Sequence, residues 1–222
     1  MSGFGIGSLL TPLLLLSMPT ADAVAILAIP HAVATGIRWL RLRSEVHRPT
    51  FRQFGIASAA GGLAGAALQS RLGSPVLNLV LGLLLLIAGT TELLERRLPL
   101  PETPFWRLSG GILSGLFGGL VGNQGGIRSA ALLRFELQPR QLVATATASA
   151  LLVDAARIPI YLLSNGAAIA GAIPLWVAAS IGTTIGTFLG VPLLSRVPPR
   201  TYRRLLGGLL VLLGIALFAA AV

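Results

Sequence analysis

The chain has no cysteine and no lysine in its 222 residues, only two histidines, and just 11% charged residues. Without cysteine there is no disulfide framework, no thiolate metal site and no cysteine nucleophile. With only His31 and His47, the paired-histidine metalloprotease pattern cannot be written. Ser114 and His31 are the nearest approach to a serine–histidine pair, yet no Gly-x-Ser-x-Gly turn supports them. A Walker loop is also missing, which excludes ATP-driven pumping by this chain alone. These absences argue against an enzyme and call for no cofactor or metal.

What is present is apolar. Hydrophobic residues make up 54% of the chain, and its mean hydropathy is +0.83. The apolar runs cover roughly 3–17, 22–40, 53–72, 75–94, 108–133, 141–163, 171–194 and 203–222. A span needs about 20 residues, so most of these runs are long enough to cross a bilayer. Prolines 19, 49, 75, 99, 101, 104, 139, 198 and 199 fall in or beside the gaps, where helices stop and start. The net charge of +10 comes from arginines in those short gaps. That distribution marks helix ends at a membrane face and gives no reason to expect a nucleic-acid partner. No basic segment precedes the first apolar run, so it does not read as a cleavable signal.

One glycine-rich motif occurs twice, at 3–7 and at 122–126, with the same 119-residue offset that carries Arg38 onto Arg157. A second offset of 125 pairs Arg71 with Arg196, Gly82 with Gly207 and Gly89 with Gly214. Two copies of one unit, each holding a glycine-broken helix, is the layout of a secondary transporter. The expected fold is therefore an all-α polytopic membrane protein of two inverted-topology repeats. Each repeat has a glycine-rich re-entrant segment plus three transmembrane helices, giving about seven to eight membrane segments. The first repeat is residues 1–97, residues 98–106 form a Pro-rich linker, and the second repeat is 107–222. Because the second glycine cluster has an apolar arm before it and Gly3 has almost none, the chain is expected to start late, as in a truncated permease. Glycines 110–119 also suit close small-residue helix packing, which leaves the dense cluster 122–126 unexplained.

Arginine placement chooses the topology. Setting aside Arg38, Arg128 and Arg157 as intramembrane leaves fourteen of the seventeen. If 108–133 crosses once, they divide seven and seven. If it enters and returns on one side, they divide thirteen to one, with only Arg71 opposite. The positive-inside rule favours the second arrangement. Basic loops 41–52, 96–107 and 196–204 are then cytoplasmic, in the cell (inner or plasma) membrane.

A half-helix N-terminus at membrane depth offers unpaired N–H groups and a positive dipole end, and so attracts an anion. The candidate substrate-binding residues are Gly5, Gly7, Asn123, Gln124, Gly125, Gly126, Arg128 and Arg157. Arg128 would bring a guanidinium suited to bidentate binding; alternatively it snorkels or pairs with Glu136. Asp154 and His31 are candidate coupling residues. Asp154 and Arg157, three apart on one face, also fit a mutually neutralising pair. His31 also fits a histidine bonded to a backbone carbonyl, and Arg38 an interfacial arginine. Thr145, Thr147 and Ser149 either line the path or bond back to their own helix.

The stretches 3–14 and 115–126, the basic segment Arg38 to Arg52 and the glycine-rich Ala57 to Leu68 resemble the TauE/SafE (sulphite exporter) family of membrane permeases. The resemblance spans nearly the whole chain. It implies transport of small sulphur-containing anions or organic acids, such as sulphite, organosulphonates or related carboxylates. The partners expected are a small anion and the lipid bilayer, with a homo-oligomer left open. The mechanism expected is alternating access, and the alternative is a non-transporting scaffold or accessory subunit.

Overall fold

A computed structural model of the chain describes residues 6–15, 17–95, 103–194 and 197–220, and every regular element among them is helical. The first is α1 (Ile6–Leu14), followed by α2 (Thr20–Leu42). A 3-10 turn (Arg43–Glu45), a short helical segment α3 (Arg48–Thr50) and a π-helical turn (Phe51–Gly55) lead into α4 (Ile56–Gln69). Then come α5 (Ser74–Leu93), α6 (Pro104–Val121), α7 (Gly125–Leu132), α8 (Pro139–Ser164), α9 (Gly166–Gly171), α10 (Ile173–Leu194) and α11 (Pro199–Ala219). Among the described residues, four helical stretches are long and apolar enough to cross a membrane: Thr20–Glu45, Ser74–Leu93, Pro139–Ser164 and Pro199–Ala219. Phe105–Val121 and Ile173–Gly186 are shorter apolar helices. Leu, Ile and Val side chains on the outer faces, such as Leu163, Leu205 and Leu212, are exposed, as a lipid-facing surface requires.

Glycine seams hold the bundle together. A Cβ at Gly115 would lie 1.8 Å from the Ser58 carbonyl oxygen, one at Gly119 2.1 Å from that of Gly62, and one at Gly61 2.1 Å from that of Ile112. These are backbone-to-backbone approaches, and only a residue without a side chain permits them. Contacts advance in the same direction along both helices, so α4 and α6 run parallel. Glycines 111, 115 and 119 therefore serve packing, which is why α6 stays helical through them. A second seam joins α5 and α11. There Gly82 meets Gly214 and Gly89 meets Gly207, so these two helices run antiparallel. Arg203 Nε bonds Glu92 Oε2 at 2.8 Å across the same pair.

Helix direction then places the charges. α2 runs against α8, with Asn165 Nδ2 donating to Asp22 Oδ1 at one end and the His47 backbone N–H to Thr145 Oγ1 at the other. Following the chain through these pairs puts Arg41, Arg43, Arg48, Arg52, Arg107, Arg134, Arg140, Arg200, Arg203 and Arg204 at one end of the bundle. Arg71, in the turn between α4 and α5, is at the other. Gly3 and Gly5, along with Arg96, Arg97 and Arg196, lie outside the described residues.

Candidate functional site

Helices α6 and α7 form an antiparallel hairpin. A Cβ at Gly110, early in α6, would come within 2.8 Å of Ala131 Cβ, late in α7. One at Gly118 would touch the Gln124 side chain at 3.1 Å. The tip is Gly122, which caps α6 in the left-handed region at φ 72 and donates its N–H to the Gly118 carbonyl. A side chain at that φ is strained, which accounts for glycine there. Ser114 Oγ reaches across the hairpin to the Gln124 carbonyl at 3.4 Å. With eight residues, α7 covers roughly 12 Å at 1.5 Å per residue, too little to cross a bilayer.

A helix ending inside an apolar medium leaves carbonyls that need donors. At the end of α6 they are supplied in sequence. Arg157 Nη1 donates to the Gly118 carbonyl and the Tyr161 hydroxyl to that of Gly119. Gln69 Nε2 donates to that of Leu120 at 3.1 Å. Arg157 and Tyr161 sit one turn apart on α8, with the guanidinium 5.8 Å from the phenol ring, while Gln69 ends α4. A cation at a helix C-terminus also complements the negative end of the dipole.

Arg157 is further bound to Asp154, through Nε at 3.0 Å and Nη2 at 2.8 Å to the same Oδ1. The other carboxylate oxygen, Oδ2, lies 2.7 Å from His31 Nδ1 on α2. Asp154 is fully buried and Arg157 2% exposed. The i, i+3 spacing thus produces the neutralising pair, and His31 adds a third member from 123 positions away. His31 bonds a carboxylate, not the backbone carbonyl weighed as its alternative. A small cavity at the hairpin tip is lined by Thr11, Val24, Leu27, His31, Gly122 and Arg157.

The beginning of α7 contrasts with the end of α6. Gln124 is 3% exposed, yet neither its Nε2 nor its Oε1 finds a partner among the described residues. The Nε and Nη1 of Arg128, one turn on, are buried and likewise lack partners, so Arg128 does not use those atoms to pair with Glu136. Arg128 lies within electrostatic reach of Asp154, Arg157 and Arg38. Among the described residues Asp154 and Arg157 are the fully buried charged pair, and half-buried Arg128 adds a positive charge near them. Thr11 Oγ1, in the wall of the cavity, is also buried without a partner.

The predicted site residues divide into three groups. Asn123, Gln124, Gly125, Gly126 and Arg128 are together at the hairpin tip and the start of α7, with Asn123 buried and hydrogen-bonded or otherwise partnered. Arg157, Asp154 and His31 form one network beside that tip. Gly7 lies in the first turn of α1, whose Thr11 reaches the tip, and Gly5 lies outside the described residues. Arg38 is exposed in the last turns of α2, as an interfacial arginine is. Thr147 bonds back to the Val143 carbonyl at 2.7 Å, Thr145 receives the His47 N–H, and Ser149 Oγ is buried without a partner. Sequence reasoning missed Gln69, Tyr161 and Thr11. A polar residue at the end of an apolar run, as Gln69 is, was the one local signal available.

No group of three or more histidine, aspartate or glutamate residues suited to a metal occurs among the described residues. No curated protein and no solved structure matches the chain. Residues 1–217 match the family described as Sulfite exporter TauE/SafE, so a match across nearly the whole chain agrees with the apolar helices and the broken hairpin: the chain is a multi-pass membrane protein of the TauE/SafE exporter family.

Proposed function

We propose that the chain is a permease that moves small anions, such as sulphite, organosulphonates or related organic acids, by alternating access. The observation that carries this reading is half-buried Arg128, whose buried Nε and Nη1 have no partner among the described residues, one turn from the open N-terminal end of α7. An intramembrane charge is expensive and is retained where it has work to do. Asp154 is already committed to Arg157 and His31, so the charge left over at the tip is positive and calls for a mobile anion. Gln124 and Thr11 supply neutral groups for the rest of its shell. The N–H groups of Gly125 and Gly126, which have no intrahelical acceptor by position, complete it.

The rocking elements in this reading are the two halves 1–97 and 107–222, joined by 98–106. The exchanged glycine contacts support it. Gly82 and Gly89 are the repeat equivalents of Gly207 and Gly214, yet each meets the other's equivalent. A two-fold axis between the halves requires such an exchange. α7 likewise falls on α1 at the 119 offset, and the two point opposite ways. The arginine-rich end of the bundle is assigned to the cytoplasm.

Coupling is assigned to His31. It lines the cavity, and its Nδ1 faces the carboxylate that Arg157 also binds. A proton on its ring would add charge next to the anion. The end of α6 is unsuited to a coupling sodium ion, because its carbonyls at 118, 119 and 120 are taken by side chains.

The test is electrogenic uptake into proteoliposomes challenged with sulphite, thiosulphate, a small sulphonate, acetate and chloride. Arg128→Ala should abolish a substrate-specific current while the protein still folds; wild-type current in that variant sinks the site. His31→Gln should keep anion exchange but lose its dependence on a proton gradient. Gradient-driven uptake that survives in His31→Gln removes His31 from coupling.

A further inference from the structure

At the open end of the α6–α7 hairpin, well away from its tip, is a second chamber. It is a cavity of about 280 Å³ lined by His47, Thr50, Arg107, Phe135, Glu136 and Leu137. These residues come from three places: the segment entering α3, the first turn of α6, and the link from α7 to α8. The transport reading uses none of them.

The walls are built in layers. Phe54 and Phe135 meet edge to face, with centroids 6.2 Å apart, and both rings are buried. Arg107 lays its guanidinium over the Phe135 ring, 5.0 Å from the centroid. Stacking of this kind fixes the guanidinium plane and leaves its N–H groups to point outward along the edge. The Nε of Arg107 is buried without a partner. Opposite, His47 is fixed twice: its Nδ1 lies 2.9 Å from Thr50 Oγ1, and its backbone N–H bonds the buried Thr145. The wall thus presents an oriented guanidinium, an oriented imidazole and a threonine hydroxyl around a space sized for a small molecule. Glu136 is exposed at the rim.

We propose that this chamber is a second anion site, for a tetrahedral oxyanion of the phosphate or sulphate type, at the mouth of the hairpin. Arg107 supplies the planar fork that such an anion accepts in two bonds, and the hydrogen-bonded His47–Thr50 pair supplies a further donor. The anion is either free in solution or the phosphate of an anionic lipid headgroup, since the chamber lies at the arginine-rich end of the bundle. By binding Arg107 on one leg of the hairpin and the His47 segment outside it, the occupant ties the hairpin base to the α2–α4 connection.

The test is calorimetric titration of inorganic phosphate and sulphate into the full chain in nanodiscs. One set is phosphatidylcholine alone and the other contains phosphatidylglycerol. Saturable binding that Arg107→Gln weakens at least tenfold, the scale of a lost bidentate ion contact, is the expected result. His47→Gln should weaken it less, and Glu136→Gln should tighten it by removing a like charge. Arg128→Ala, which is meant to stop transport, should leave this binding unchanged, so the two sites stand or fall separately. Competition by phosphatidylglycerol assigns the site to a lipid headgroup, and equal binding in both discs assigns it to a soluble oxyanion. The proposal is overturned by no saturable binding in either disc, by full-strength binding in folded Arg107→Gln, or by loss of binding in Arg128→Ala.

Discussion

The two sides of one helix break, only three residues apart, are treated in opposite ways. At the end of α6, three successive carbonyls each receive a side-chain donor: Arg157, Tyr161 and Gln69. At the start of α7, the buried amide of Gln124 and two nitrogens of Arg128 have none among the described residues. A bilayer makes both kinds of orphan costly, so the asymmetry is informative. The carbonyl side is finished by the fold itself. The N–H side is left open, and the proposed anion would complete it.

Breaking the finished side should have the largest effect on stability. Arg157→Ala strips the Gly118 carbonyl of its side-chain donor and leaves Asp154 buried with His31 as its remaining hydrogen-bond partner. Losing one partner of a buried ion pair costs about 3–5 kcal/mol. The measurement is thermal or denaturant unfolding in detergent, set beside Arg128→Ala, which should unfold within about 1 kcal/mol of wild type because its buried Nε and Nη1 have no partner among the described residues. Equal destabilisation by the two substitutions would erase the distinction between a structural arginine and a ligand-binding one.

The joint between the sides comes next. Gly122 sits at φ 72, and a Cβ there would lie 3.3 Å from Val24 Cγ1. Gly122→Ala should cost about 1–2 kcal/mol through the left-handed backbone alone. Gly122→Asn should be milder, because asparagine tolerates that region. If the two substitutions cost the same, contact with Val24 and not backbone strain governs the position, and the tip is a packed corner and not a conformational joint.

How much of this the sequence discloses follows from the range of each interaction. Apolar runs give the helices to within a few residues, because hydrophobic length is a local property: 75–94 becomes Ser74–Leu93, and 141–163 becomes Pro139–Ser164. The break at 122–126 is legible because glycine density is local too. The role of Arg157 is not. Its spacing from Asp154 shows a pair, but the Gly118 carbonyl that orients it lies 39 positions away, and His31 lies 123 positions from Asp154. Tyr161 reads as one more apolar aromatic until the α6 terminus is beside it. Glycines 111, 115 and 119 suit close packing by their spacing alone, but that α4 is the helix they pack against is visible only in the fold. The π-helical turn at Phe51–Gly55, which brings Phe54 under Phe135, has no sequence signal in this chain.

The smallest expected effect on stability is also the one with the sharpest sign. Gln124 is buried with both polar atoms unpartnered, so in the empty protein it carries a desolvation cost with no bond to offset it. Leucine fills a similar volume with no polar atoms. Gln124→Leu should therefore raise stability by about 1 kcal/mol, the usual return for removing an unsatisfied buried group. It should at the same time weaken the anion, because the side chain that waits for it is gone. A purely structural glutamine would behave the other way, with Gln124→Leu losing stability and leaving transport affinity unchanged. Unfolding and uptake on the same two proteins separate these cases. A residue kept at a cost to the empty state is one whose partner is not part of the chain.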